Sequence, residues 1–247
     1  MTTVEQVERA CEEQFTLAQS PMLVRNYRYT PESDDYFFGG FIPHGTDVLG
    51  PVIWAADNNR ASVLDLGAGK GTYLAKAIQA YGPDAIRPIG LTALAHPGQV
   101  DDRIDWVYGD IQRPNTWQPD DILLPESIDV AVSNLLFRNL VHPVRALANA
   151  IHLLKEGGEM FVDGIEIKLD PKTAQDAIGL IKQALDVNTG SYGYGLHYDD
   201  QNLYQHVATI KELHFVKNTD EKIFDGLVPL VGNPRNPDAV MYRVPGD

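Results

Sequence analysis

The sequence predicts an α/β fold in which a mostly parallel β-sheet is flanked by helices. A short apolar strand, a glycine-rich turn and a helix start follow one another in VLDLGAGKGT, residues 63–72. In the helix after the turn, Leu74 and Ile78 lie four apart with Ala77 and Tyr81 beside them, the period of one buried face. Strand and helix patterns continue to alternate along the chain. Open sheets of this kind bind their ligands at the carboxyl ends of the strands.

Composition favours a single domain. With 247 residues, of which 44% are hydrophobic, the chain can bury one large core, and we expect one domain over residues 1–247. No stretch approaches the roughly 20 apolar residues that span a bilayer, and the polar N-terminus does not resemble a secretory signal. The one cysteine, Cys11, excludes intramolecular disulfides and offers no metal-ligand cluster.

The formal net charge of −14 disfavours some classes of binding partner. A surface this acidic repels nucleic acid phosphates and anionic lipid headgroups. We therefore expect a cytoplasmic protein that acts on a small molecule and binds neither nucleic acid nor membrane. The oligomeric state stays open, and a homodimer is one alternative.

Elements outside the glycine turn are predicted from helical spacing and turn residues. Residues 1–50 read as an N-terminal cap: an amphipathic helix at 2–19 with a capping box, then an aromatic, turn-rich segment. Residues 51–247 form the core. The further predicted elements are a helix from Pro143 that ends at Gly157-Gly158, a helix after Asp170-Pro171, a glycine-tyrosine loop at 190–198, and a helix carrying Leu203, Val207 and Ile210.

The glycine turn itself discriminates between cofactors. Three glycines at alternating positions allow a sharp turn and a close ligand approach, and the helix N-terminus presents free N–H groups. A dinucleotide turn would need a third glycine at the position of Thr72, and a phosphate loop would end in Gly-Lys-Ser/Thr, whereas Lys70 lies between glycines. Asp65, just before the turn, repels phosphates and suits a cationic or amino-bearing ligand.

The stretch VLDLGAGKG resembles motif I of the class I S-adenosylmethionine-dependent methyltransferases. Further segments of this family's pattern follow in order over roughly residues 60–165: IRPIGLT at 86–92, RIDWVYGDI at 103–111, SIDVAVSNLLF at 127–137 and LLKEGGE at 153–159. The resemblance implies a Rossmann-like, seven-stranded, mostly parallel sheet with helices on both faces and an N-terminal helical and aromatic cap. It also implies a closing antiparallel pair at 212–218 and 239–244.

The resemblance further implies which residues bind S-adenosyl-L-methionine. Gly67, Ala68, Gly69 and Gly71 would cradle the aminoacyl and ribose portion, with Asp65 at the amino group. Asp110 would accept from the adenine amino group and Ile111 would back the ring, while Asn134 and Leu135 would offer backbone near the methionine moiety. One position departs from the pattern: Thr92 stands where the family usually has a carboxylate for the ribose hydroxyls, and Gln99 or His96 could compensate.

The sequence is less specific about the residues that would contact the methyl acceptor. Phe137, Arg138 and His142 follow the fourth strand, where family acceptors meet the methyl group. The candidate bases are His142, His197 and His44, although His142 could simply cap a helix. The candidate substrate contacts are Tyr36, Phe37, Phe137, Arg138, Tyr192 and Tyr194, with a tyrosine-rich surface turn as the alternative for the last two.

The sequence therefore predicts S-adenosylmethionine-dependent methyl transfer to a small-molecule acceptor at O, N or C, without a metal. The departure at Thr92 leaves a second hypothesis: a protein of the same fold that binds the cofactor but catalyses an isomerisation or cyclisation. A nicotinamide-dependent oxidoreductase is a third.

Overall fold

The computed structural model describes residues 48–56, 60–92, 101–134, 136–137, 140, 142–199, 206–218, 226–230 and 240–245. The predicted N-terminal helix and nearly all of the aromatic cap lie outside these residues. In the described part we number four helices and ten strands in chain order. The helices are α1 (Leu49–Ala55), α2 (Thr72–Tyr81), α3 (Pro143–Leu153) and α4 (Ala174–Asn188). The strands are β1 (Ala61–Leu66), β2 (Ile86–Thr92), β3 (Asp105–Asp110), β4 (Arg113–Gln118), β5 (Ile128–Asn134), β6 (Leu154–Leu169), β7 (Thr189–Asp199), β8 (His206–Val216), β9 (Val228–Leu230) and β10 (Met241–Arg243).

All ten strands belong to one sheet. Its order is β4-β3-β2-β1-β5-β6-β10-β9, and β8 pairs with both β6 and β7. The central run β3-β2-β1-β5-β6 is parallel throughout, which confirms the predicted Rossmann-like, mostly parallel sheet. The sheet has ten strands rather than the expected seven because the short strands β4, β9 and β10 extend it.

Helices cover both faces of the sheet. Alternate side chains of β1 point to opposite sides, so Val63 packs with residues of α1 and α2 such as Leu49 and Leu74. Leu64 and Leu66 instead join the larger core cluster that α3 and α4 cover. Buried side chains on both faces explain why the central strands read as nearly continuous apolar runs.

The strand β6 is much longer than its neighbour β5. Asn134, the last residue of β5, lies opposite Asp163, and β6 continues from there to Leu169. This continuation pairs with β8 along its length and with β10 at its end.

Three expectations for the C-terminal third are wrong. The glycine-tyrosine segment is not a loop, because Thr189–Asp199 forms strand β7. The expected helix around Val207 and Ile210 is also a strand, because β8 lies hydrogen-bonded between β6 and β7, where its β-branched residues suit a buried pleated surface. The closing antiparallel pair is therefore β7 with β8, whereas β10 pairs with β6 and β9.

No helix in the described part of the chain has the length and apolar character needed to cross a membrane.

Candidate functional site

The fold places the glycine turn at a change of direction in the sheet. From β1 the chain moves outward to β2 and β3, whereas β5 and β6 lie on the other side of β1. The carboxyl ends of β1 and β5 meet at this point and define the candidate site, where Leu136 packs against the glycine turn: a Cβ atom on Gly67 would lie 3.3 Å from Leu136 Cβ. Ligands of open α/β sheets bind at such a point.

The turn after β1 has a geometry that glycine permits. Gly67, Gly69 and Gly71 have φ angles of 84°, 54° and 84°, in the left-handed region. The N–H groups of Gly67 and Ala68 both donate to the carbonyl oxygen of Leu91, at 2.9 and 3.0 Å, and that of Gly71 donates to Ala68 at 2.7 Å. Bonds within the protein therefore set the shape of the turn, and these three N–H groups are already engaged.

An aromatic ring that the sequence analysis did not single out packs beside the turn. A Cβ atom on Gly71 would lie 2.9 Å from the Trp106 ring and 2.8 Å from Ile104 Cδ1, and one on Gly90 would also meet Trp106 at 2.9 Å. Gly90 on β2 and Trp106 on β3 are register partners. A glycine paired with a large aromatic residue on the neighbouring strand is the signal that could have identified Trp106. Trp106 therefore fixes the start of α2 against the sheet.

Two further predicted cofactor residues are buried near the same edge. Asp65 lies in β1 one residue before its end, and Thr92 is the last residue of β2. Thr92 thus lies at the carboxyl end of the neighbouring strand, where the resemblance expects a group for the ribose hydroxyls. Gln99 and His96, which could compensate for the missing carboxylate, lie outside the described residues.

Asp110 ends β3 and is held by a network. Its backbone N–H donates to Thr116 Oγ1 at 3.0 Å, and its carbonyl oxygen accepts from Trp117 Nε1 at 3.0 Å. Its carboxylate accepts from the backbone N–H of Gln112 at 2.9 Å and from Gln112 Nε2 at 3.0 and 3.2 Å. The following residue, Ile111, is buried in the core.

The end of β5 carries an unsatisfied acceptor. Asn134 Oδ1 is buried, and no described residue donates a hydrogen bond to it. Its neighbour Ser133 is satisfied, because the Ser133 hydroxyl donates to the carbonyl oxygen of Leu66 at 3.3 Å. A buried acceptor left without a donor is costly, so the position fits a ligand that brings an N–H or O–H group.

His142 precedes α3 and is only 3% exposed. It occupies the N-cap position without a side-chain capping bond, while its backbone N–H donates to Gln112 Oε1 at 2.7 Å. Burial, together with the nearby positive charges of Arg145 and Arg113, lowers the pKa of His142 from 6.5 to about 4. The imidazole is therefore neutral at pH 7.

The remaining predicted acceptor residues are scattered. Phe137 is fully buried in the core and has no surface with which to contact an acceptor. His197 is exposed on β7, three strands away from β5, or about 14 Å across the sheet. Tyr192 and Tyr194 lie on the same strand β7. Other predicted residues fall outside the described part: His44, Tyr36, Phe37, Leu135 and Arg138.

No group of three or more His, Cys, Asp or Glu side chains in the described ranges is placed to hold a metal ion. A shallow groove of about 230 Å³ lies between β4 and α3, lined by residues such as Trp117 and His152. Because His152 is at the far end of α3 from His142, this groove lies away from the candidate site.

A mostly parallel sheet with a glycine turn, a partly buried asparagine and a hydrogen-bonded carboxylate at its carboxyl edge is typical of the nucleoside-cofactor-binding α/β proteins. Residues 42–206, about two thirds of the chain, match the family described as "Methyltransferase domain". The chain belongs to this family. The predicted S-adenosylmethionine-dependent methyltransferase domain is thereby confirmed.

Several solved structures are similar to this chain at low identity. The 4+2 cyclase SpnF is 20% identical, with a TM-score of 0.37, over 52% of this chain and 46% of that one. A putative sarcosine dimethylglycine methyltransferase from Galdieria sulphuraria is 18% identical, with a TM-score of 0.37, over 56% and 52%. The 1,6-didemethyltoxoflavin-N1-methyltransferase from Burkholderia thailandensis is 12% identical, with a TM-score of 0.42, over 89% and 92%.

The match to the first two of these structures spans about half of their length. At such identities and TM-scores, none of the three assigns an activity to this chain. No curated protein matches the sequence significantly.

Proposed function

We propose that the protein transfers a methyl group from S-adenosyl-L-methionine to a small-molecule acceptor, at oxygen, nitrogen or carbon. Family membership supports the cofactor, and the observation that carries the proposal is the buried Asn134 Oδ1 at the carboxyl edge, which receives no hydrogen bond from a described residue. The ammonium and ribose hydroxyl groups of the cofactor are donors of the kind this acceptor needs. The net charge of −14 disfavours nucleic acid and anionic membranes as acceptors.

We assign the described residues to the parts of the cofactor in the order of the strands. The turn from Gly67 to Gly71, with Asp65 beneath it, would hold the aminoacyl end, and Thr92 would meet the ribose. Asp110 would accept from the adenine amino group while Ile111 backs the ring. Asn134 would receive a donor at the methionine end. Thr92 can make fewer hydrogen bonds than a carboxylate, so we expect a weaker hold on the ribose.

When bound, S-adenosyl-L-methionine supplies an activated methyl group and its own leaving group, so the protein chiefly positions and desolvates. The preset turn fixes one reactant without reorganisation. The buried His142 is a weak proton acceptor, because its pKa is about 4, so it is the least suited of the three predicted bases. His44 and His197 remain the predicted alternatives for a base, with Arg138, Tyr36, Phe37, Tyr192 and Tyr194 as predicted acceptor contacts.

The first test measures the cofactor alone. Calorimetric titration of the full chain with S-adenosylmethionine and S-adenosylhomocysteine should give saturable heat for both. The matched control is NAD, for which we expect no binding, because Thr72 replaces the third glycine of a dinucleotide turn. Absence of heat with both adenosyl compounds would overturn the proposal.

The second test follows the methyl group. The protein is incubated with methyl-labelled cofactor and with separated small-molecule, nucleic acid and protein fractions of a cell extract. Label should appear in the small-molecule fraction. Tight binding without label in any fraction favours the second hypothesis, in which the protein binds the cofactor but catalyses an isomerisation or cyclisation. The departure from the family pattern at Thr92 is the reason for testing that hypothesis.

A further inference from the structure

The buried amide of Gln112 connects the predicted adenine contact to the start of α3. Gln112 is 5% exposed and lies two residues after Asp110. Its Nε2 donates to both oxygens of the Asp110 carboxylate, at 3.0 and 3.2 Å, and its Oε1 accepts the backbone N–H of His142 at 2.7 Å. One side chain therefore joins the end of β3 to the helix that follows β5.

The contact with His142 fixes which end of the amide faces Asp110. A backbone N–H donates only, so the amide oxygen must lie toward His142 and the NH₂ group toward the carboxylate. The backbone of Asp110 is held separately, through Thr116 Oγ1 and Trp117 Nε1. Gln112 consequently sets the orientation of the Asp110 carboxylate, while Thr116 and Trp117 set its backbone.

We propose that Gln112 is a positioning residue that aims the Asp110 carboxylate at the 6-amino group of the cofactor's purine and so selects adenosyl over inosyl compounds. The proposal rests on the proposed function. An ionised carboxylate has about four acceptor positions. Gln112 uses three of them with its backbone and side-chain donors, and the carboxylate is left to accept from an amino group. A 6-oxo group at the same place is an acceptor, and two acceptors face each other unfavourably.

The experiment compares S-adenosylhomocysteine with S-inosylhomocysteine by calorimetry on the full chain. The wild type should prefer the adenosyl compound by roughly tenfold or more, the scale of one charge-assisted hydrogen bond. Gln112→Glu keeps an oxygen for the His142 N–H but replaces the donor to Asp110 with a second acceptor. Gln112→Leu removes the side-chain contacts to Asp110 and His142 and leaves the backbone N–H bond to Asp110 in place. In each variant the preference should fall to about threefold or less.

Thr116→Val is the matched control. It removes the bond to the Asp110 backbone and leaves the Gln112 amide in place, so it should lower the melting temperature while the preference stays at the wild-type value. A merely structural role for Gln112 predicts that Gln112→Glu weakens both compounds equally and leaves their ratio unchanged. That result would overturn the proposal.

A crystal structure of the wild type with S-adenosylhomocysteine does not depend on the folding of any variant. We expect the purine amino group on an Asp110 oxygen, with both Gln112 contacts retained. An amino group bound elsewhere would overturn the role of Gln112 without affecting the proposed function. A wild type that binds neither compound would overturn both.

Discussion

The two edges of the sheet use their polar groups differently. At the amino-end edge, the Asp129 carboxylate accepts from the Ser62 N–H at 2.8 Å and from Lys155 Nζ at 2.7 Å. The ammonium of Lys217, itself buried, donates to the Leu154 carbonyl oxygen at 2.9 Å and to Glu126 at 3.2 Å. At the carboxyl-end edge, Asn134 Oδ1 has no donor among the described residues.

The difference shows where the fold tolerates a loss of stability. Each contact at the amino-end edge joins two segments of chain and contributes to stability, whereas a buried acceptor without a donor lowers it. Rules of polar satisfaction are broken mainly at functional sites. Asn134 Oδ1, which has no donor among the described residues, therefore supports a ligand at the carboxyl-end edge without reference to the glycine motif, although Asp110 at the same edge is hydrogen-bonded.

The largest effect should come from paired glycine substitutions, one at each edge. Gly71→Ala places a Cβ 2.8–2.9 Å from Ile104 and Trp106 at a φ of 84°. Gly157→Ala meets nothing within 4 Å at a φ of 74°. The left-handed backbone alone costs roughly 1–2 kcal/mol in either variant.

We expect Gly71→Ala to lose about 3 kcal/mol of unfolding free energy, since steric strain adds to the backbone cost, and at least tenfold in cofactor affinity. Gly157→Ala should lose about 1 kcal/mol and bind normally. Urea unfolding and calorimetry measure the two effects. Equal losses of affinity in both variants would contradict the assignment of the carboxyl-end edge.

The next effect is a pH dependence of the unfolding free energy, which arises from the buried His142. Because its folded-state pKa is about 4, below the ordinary 6.5, the folded protein favours the neutral imidazole. This contribution to stability is fully present above pH 6.5 and is lost as the pH falls toward 4. The loss amounts to about 3 kcal/mol.

His142→Gln lacks the titrating group and should not show this component. Unfolding free energies of wild type and variant, measured from pH 7 to 4, should therefore converge by about 3 kcal/mol as the pH falls. Parallel curves would mean that His142 is not buried as the structure has it.

The smallest effect separates two neighbouring residues of β5. Asn134→Leu removes an unsatisfied acceptor at similar volume, so stability should hold or rise while cofactor affinity falls about tenfold. Ser133→Ala removes the bond to Leu66, so it should cost about 1 kcal/mol of stability with affinity unchanged. Calorimetry measures the cofactor affinity of each variant, and thermal unfolding measures its stability. A loss of stability in Asn134→Leu would remove the argument for a ligand at this atom.

The sequence predicted the parts of this site that depend on local pattern. The glycine turn, β1 to β3 and the start of α3 at Pro143 could be located because a strand end, a positive φ angle or a helix start needs particular residue types. Gln112 could not be found in this way, because its role depends on a contact with His142, thirty residues away. The pairing of Gly90 with Trp106 likewise appears only once two strands are in register.

The C-terminal strands were missed for a related reason. Val207 and Ile210 are three apart, a helical spacing, but β8 is flanked by two strands, and this tertiary pairing overrides the local period. Glycines at 190, 193 and 195 favoured a loop where the chain in fact pairs as β7. Tyr192, Tyr194 and His197 therefore lie on a strand of the sheet and not on a surface turn.

The length of β6 affects the route by which an acceptor can reach the candidate site. The strand runs six residues past the level at which β5 stops, about 20 Å of backbone. Its end is hydrogen-bonded to β8 on one side and β10 on the other, so backbone hydrogen bonds hold this flank from both sides. Opening the site on this flank would break those hydrogen bonds, so we expect an acceptor to enter and its product to leave from another side.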